Sequence, residues 1–356
     1  MTLAFLIVLA LILAGGGPVA QPVLLNFIFY VIFTLLIATA IIFAGSLFVN
    51  FAQSANMIMR GEGILKKAML ITGTGAVLNI ILDPIMITAM SAQGKGIEGA
   101  AYATVASQIV TAAITLWYFL TKSKVVRIRR VRLEGSLISE IFGVGFSAML
   151  MQVMTMVQQT TLYHVAARHG GDTWQIILGA ALSIQSFTMI PLWGASQGFQ
   201  PAAGTNYGAK QYGRVKHITR VFMIGVTVFS LIFYIPIQLA PKTILSWFIK
   251  DAGIVSQGVA DFRILFSTYI LLGFVLMVIT LMQSLGKASK ASVLVMMRQI
   301  ILFVPLAILL PQIGGLGVHG VFLAPAVTDL IILVLAVVML AGEFRNISKL
   351  ATQEQR

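Results

Sequence analysis

The side chain best placed to do chemistry is Asp83, a carboxylate inside the apolar run LNIILDPI. An ionisable group in such a run is costly to bury and faces a cavity or a partner. Asn79 lies four residues earlier, on the same face of a helix. A carboxylate and an amide oxygen at that spacing are hard donors that suit a sodium ion. Alternatively, burial raises the affinity of the carboxylate for a proton, which suits proton coupling. A helix-packing hydrogen bond beside Pro84 needs the same two residues, and the spacing leaves both readings open.

A second constellation is Gln152, Thr155 and Gln159, a polar stripe at helical spacing along an otherwise apolar segment, followed by Gln185, Met189 and Trp193 on the next. Amides, a thioether and an aromatic face together suit a permissive cavity for organic cations. Interhelical hydrogen bonding and ordinary packing explain the same residues equally well. Metal and nucleotide chemistry find little support. There is no cysteine, the four histidines are scattered, and no GxxxxGK[ST] or HExxH pattern occurs. No resident cofactor and no enzyme are expected.

The elements that must position these groups are set by composition. Of 356 residues, 58% are apolar and 10% charged, and the mean hydropathy is +0.96, which points to an all-α polytopic membrane protein. A span needs roughly 20 mostly apolar residues. About ten such cores are read at 1–14, 26–57, 66–91, 97–121, 136–166, 173–199, 217–240, 257–284, 289–311 and 319–342. Alternate connections hold the basic residues: Arg60, Lys66 and Lys67; the run 122–132; Lys210 to Arg220; Lys287 and Lys290; then Arg345 and Lys349. Those sides are cytoplasmic. This distribution accounts for the net charge of +13 without a nucleic-acid partner. Thr2 to Ala14 lacks the basic lead of a signal peptide and reads as a transmembrane helix cut short.

The chain also repeats itself. Gly63, Lys67 and Ala68 match Gly286, Lys290 and Ala291; Pro84 falls on Pro305; and Gly94, Gly96 and Gly99 match Gly315, Gly317 and Gly320, at an offset of 221 to 223 residues. Val304 stands where the first half has Asp83, so one half alone carries that acid. The implied organisation is an incomplete amino-terminal lobe, 1–121, a basic linker, 122–135, a carboxyl-terminal lobe, 136–343, and a cytoplasmic tail, 344–356. The Gly-rich stretch Gln197 to Lys216 reads as a flexing cytoplasmic corner, and Asp329 as a cap or interface residue near the outer end of the last helix. Glu140 and Asp261 lie near helix ends, which argues against a second cation site.

In order along the chain, MRGEGILKKAM, LNIILDPI, GIEGAAYAT and GFQPAAGTNYGAKQYGRVK resemble the multidrug and toxin extrusion (MATE) family, and are most similar to its MepA-like bacterial branch. The resemblance covers the family's third to twelfth helices, so the first two have no counterpart. It implies ten helices of a twelve-helix, two-lobe fold. It also implies a monomeric antiporter in the bacterial inner membrane, exporting drugs or organic cations against a proton or sodium gradient. The cation-coupling set it implies is Asn79, Asp83 and Thr104, with a further acid on the missing first helix. The alternatives are a flippase for lipid-linked oligosaccharide, for which Arg298 is the only mid-helix cation, and a transport-inactive fragment.

Overall fold

The computed structural model describes residues 20–123 and 135–354, and all regular structure among them is helical. The expected first span, 1–14, and most of the basic linker lie outside those residues. The chain divides into two units, 1–132 and 133–356.

In the first unit the described helices are α1 (Ala20–Gly61), α2 (Leu65–Ser91) and α3 (Gly96–Thr121). At about 1.5 Å per residue each is long enough to cross a bilayer. Two glycine turns define their ends. After α1, Gly63 has φ 78°, its N–H bonds Arg60 O at 3.0 Å and Ile64 N–H bonds Met59 O at 3.0 Å. That is a Schellman close, which satisfies carbonyls left open at a helix end and needs a residue without Cβ. Gly94, at φ 74°, ends α2 in the same way. α3 then packs along both α1 and α2. At Gly99 the approach is so close that a Cβ would stand 2.6 Å from Met86 O.

The second unit begins with α4 (Gly135–Gly208), a rod that breaks at Gly171, where φ 66° and ψ −161° are not helical. It continues through α5 (Tyr212–Leu239), α6 (Pro241–Ser246), α7 (Ala252–Phe266), α8 (Tyr269–Ser284) and α9 (Ala288–Met296). A π-helical turn, Met297–Leu302, leads into α10 (Phe303–Leu309), and α11 (Val318–Glu354) closes the chain. Its core is dominated by aromatic and aliphatic side chains, among them Phe199, Phe262, Phe266, Tyr269, Phe303 and Phe322.

Eight described stretches are long and apolar enough to cross a membrane. One of them, Gln152–Gly208, has 57 residues and is broken at Gly171, so its arms supply the separate spans expected at 136–166 and 173–199.

One expectation needs correction. The Gly-rich corner from Gln197 is helical to Gly208, with a turn of only three residues before α5 and Lys210 at φ 58°. Glycine and proline break helices less readily where neighbouring helices satisfy the backbone, and here Gly204 gives room to Ser284 O, 3.3 Å from where a Cβ would lie. The stretch from 344 continues α11 as helix to Glu354, with Ile347 fully buried.

The repeat is visible in backbone detail. Gly286, at φ 72°, closes α8 with Gly286 N–H on Gln283 O and Lys287 N–H on Met282 O, the same pattern as Gly63. A Cβ on Gly320 would lie 2.5 Å from Pro311 N, as one on Gly99 would meet Met86.

Candidate functional site

α2 carries Asp83 near its Pro84, eighteen residues into the helix. Asn79 Nδ2 donates to Asp83 Oδ1 at 3.2 Å, and both residues are half-buried. Thr104 on α3 donates its hydroxyl to Ala100 O at 3.0 Å instead of reaching Asp83. Asn79 and Thr104 nevertheless line one cavity of about 250 Å³ formed by α1, α2 and α3. Its other polar walls are Gln53, Asn56, Thr72, Ser107, Gln108, Thr111 and Thr115.

This lining was only partly anticipated. Asn56 is 5% exposed and donates to Ala68 O at 2.9 Å and to Thr72 Oγ1 at 2.8 Å. Its Oδ1, like Gln108 Oε1, is buried without a hydrogen-bond partner. Buried acceptors left open are unusual and call for a donor or cation. The signal available in sequence was the polar run on α3, with Thr104, Ser107, Gln108, Thr111 and Thr115 at helical spacing.

In the second unit the expected stripe divides. Thr155 accepts a hydrogen bond from Gln299 Nε2 at 2.9 Å, an interhelical contact. Gln152 is exposed. Gln159 lines an open groove with Tyr163, His164 and Gln175. On the other arm of α4, Met189 packs against the core, Gln185 is half-buried and Trp193 is exposed.

Sequence reasoning missed the ion pairs of this unit. Asp329 lies eleven residues into α11, away from its end, so of the two roles expected it is not a cap but an interface residue. It is 3% exposed. It accepts from Arg298 Nε at 2.8 Å and from Thr268 Oγ1 at 3.2 Å. Asp261, fully buried on α7, bonds His319 Nδ1 at 2.7 Å, and His319 stacks edge-on with Trp174 at 5.5 Å between ring centroids. Glu343, 1% exposed, pairs with Lys287 and Lys290. Every one of these three acids has a basic partner. Among the described residues, Asp83 has an amide as its partner and no base.

One further pattern, GASQG at 194–198, has the GxSxG spacing of a nucleophile elbow. It lies within helix, and Ser196, 2% exposed, donates to Trp193 O at 2.9 Å. A strand-to-helix turn, which that chemistry requires, is not there. Among the described residues no group of three or more His, Asp or Glu could hold a metal ion.

With this geometry in hand, comparison with known proteins gives consistent relatives. The MatE family model matches residues 143–309. An FAD transporter of Shewanella oneidensis is 25% identical over 282 residues, 78% of this chain and 61% of that protein. The multidrug export protein MepA of Staphylococcus saprophyticus is 24% identical over 247 residues, 69% of this chain and 53% of that protein. The chain thus spans between about half and three fifths of the length of these relatives. Among solved structures, a MATE crystal structure in complex with MaL6 superposes with a TM-score of 0.80 at 23% identity, covering 99% of this chain and 77% of that one.

Proposed function

We infer, from a chain that belongs to the MATE family and carries its fold, that this multi-pass plasma-membrane protein is a secondary antiporter. It exports drugs or organic cations and uses a proton or sodium gradient. It is a transporter and not an enzyme. The coupling ion is taken by Asp83 with the help of Asn79, and Thr104 lines the adjoining cavity. Gln152, Thr155, Gln159, Gln185, Met189 and Trp193 serve the substrate side, and the chain acts as a monomer.

The observation that carries this reading is electrostatic. Of the buried carboxylates among the described residues of the second unit, Asp329 pairs with Arg298, Glu343 pairs with Lys287 and Lys290, and Asp261 hydrogen-bonds His319. Among the described residues, Asp83 bonds Asn79 alone. A carboxylate in a membrane without a fixed cation is stabilised by a mobile one, a proton or a metal cation. Its hydrogen bond from an amide holds it in place without cancelling its charge. Flipping of lipid-linked oligosaccharide has less support, because it would favour a cavity lined by many basic residues and Arg298 is the one mid-span cation noted for it.

The test is efflux of a cationic dye from cells expressing this chain or its Asp83→Asn form, before and after collapse of the proton and sodium gradients. Gradient-dependent efflux that Asp83→Asn abolishes supports the reading. Efflux no faster than in cells without the chain refutes transport by it, and efflux untouched by Asp83→Asn refutes the coupling assignment.

A further inference from the structure

We propose that Arg298 forms an anion subsite in the second unit, taking a carboxylate or phosphate group of an organic solute on the open edge of its guanidinium. The residue sits in the π-helical turn Met297–Leu302, and such turns interrupt the regular ladder and occur often at functional sites. Its Nε donates to Asp329 Oδ1 at 2.8 Å. The other carboxylate oxygen, Oδ2, is taken by Thr268 Oγ1 at 3.2 Å. Asp329 therefore fixes the plane of the guanidinium and balances its charge from one side, while being itself 3% exposed and fully engaged.

What remains open is the far edge. No described residue bonds either terminal nitrogen, and the side chain is 26% exposed. An arginine used only to neutralise Asp329 would do so best through two parallel bonds. Here a single Nε bond is made, and the two terminal nitrogens keep the fork geometry that matches a carboxylate or phosphate. A guanidinium whose plane is fixed by a buried acid and whose far edge is open, inside a span, is a place prepared for an anionic group. The solute is thus one that bears an acidic group, which extends the range beyond simple cations. This claim concerns binding alone and stands or falls separately from the export reading.

The experiment measures binding to the purified full chain of two fluorescent probes, dansylglycine and its methyl ester, which differ by one negative charge. It is run in detergent free of phospholipid, and then in phosphatidylcholine nanodiscs with and without phosphatidylglycerol. The wild-type chain is expected to bind the acid about tenfold more tightly than the ester. Arg298→Gln brings that ratio to about one and leaves ester binding unchanged. The double form Arg298→Leu with Asp329→Leu, which removes both charges and leaves neither unpaired, gives the same collapse of the ratio and guards against misfolding of the single variant. A wild-type ratio near one, or a ratio that survives in both variants, overturns the proposal. So does loss of acid binding in nanodiscs, or on adding phosphatidylglycerol, because a lipid headgroup then occupies the fork in place of a solute. Acid binding that persists while the cells show no export leaves this subsite standing and removes the export reading.

Discussion

Replacing Asp329 by Asn is the sharpest perturbation of the second unit, because it changes one charge and almost no volume. The amide keeps one acceptor oxygen, for either Arg298 Nε or Thr268 Oγ1, and turns an NH2 toward the other, and the guanidinium loses its counter-charge. Breaking a fully buried pair from one side destabilises by about 3–5 kcal/mol. Arg298 is 26% exposed, so part of that penalty is relieved by solvent or headgroups. About 2 kcal/mol is the expected net loss. Melting of the purified chain, followed by its tryptophan fluorescence, should fall by about 4 °C at roughly 2 °C for each kcal/mol. Asp172→Asn, at an exposed acid near the Gly171 break, is the control and should stay within about 0.5 kcal/mol. The double Leu replacement of Arg298 and Asp329 should recover most of the loss, since a hydrophobic pair of similar volume often matches a buried ion pair. An Asp329→Asn form that melts with the wild type, or a double form whose loss equals the sum of the two single losses, would refute the pairing.

Two other substitutions test the backbone. Gly99→Ala and Gly320→Ala should each destabilise by about 1–3 kcal/mol, and by similar amounts, because the new methyl meets main-chain atoms that no rotamer change can move. Gly225→Ala, with nothing within 4 Å, should melt at or above the wild-type temperature, and three equal melting points would show that the close approaches are not there. Gly171→Ala forces a side chain onto a backbone conformation essentially restricted to glycine, at about 1–3 kcal/mol. The same melting series would show no change if the break of α4 does not need that conformation.

Helix placement was legible because the bilayer imposes a length and because Gly63, Gly94, Gly286 and Gly315 mark ends that only glycine closes easily. The Asn79 and Asp83 contact was legible for a related reason, being a matter of helical period alone. The same local logic failed from Gln197 to Gly208, where the count of glycines and Pro201 reads as loop but the helix persists. Partners on other helices were not legible. Arg298 and Asp329 are 31 residues apart, and Asp261 and His319 are 58 apart, with no spacing rule to join them. The repeat offset could not help, since it maps each half onto the other and does not pair helices within a half. The π-helical turn that aims Arg298 has no sequence signature in this chain.

The two units hold together by different physics, and this bears on how their sites can be altered. In the second, a broad cluster of buried aromatics and aliphatics packs around Phe262, Phe303 and Phe322, so the ion pairs add charge balance to a unit already packed by apolar contact. Among the described residues of the first, the buried apolar cluster consists of Ala55, Met59, Ala68, Tyr118 and Phe119. Lipid is as apolar as leucine, so helix association there must come from close approach and hydrogen bonding. Gly99 against Met86 and Gly75 against Thr111 supply the first, and Asn56 bonding Ala68 and Thr72 supplies the second. Yet Asn56, Thr72, Gly75 and Thr111 also line the cavity that Asn79 and Thr104 share. In this unit the groups that assemble the helices are the groups that would receive the ion. A substitution at Asn56 therefore cannot change the cavity without also loosening the contact between α1 and α2, whereas Arg298 can be replaced together with Asp329 and leave the aromatic packing intact.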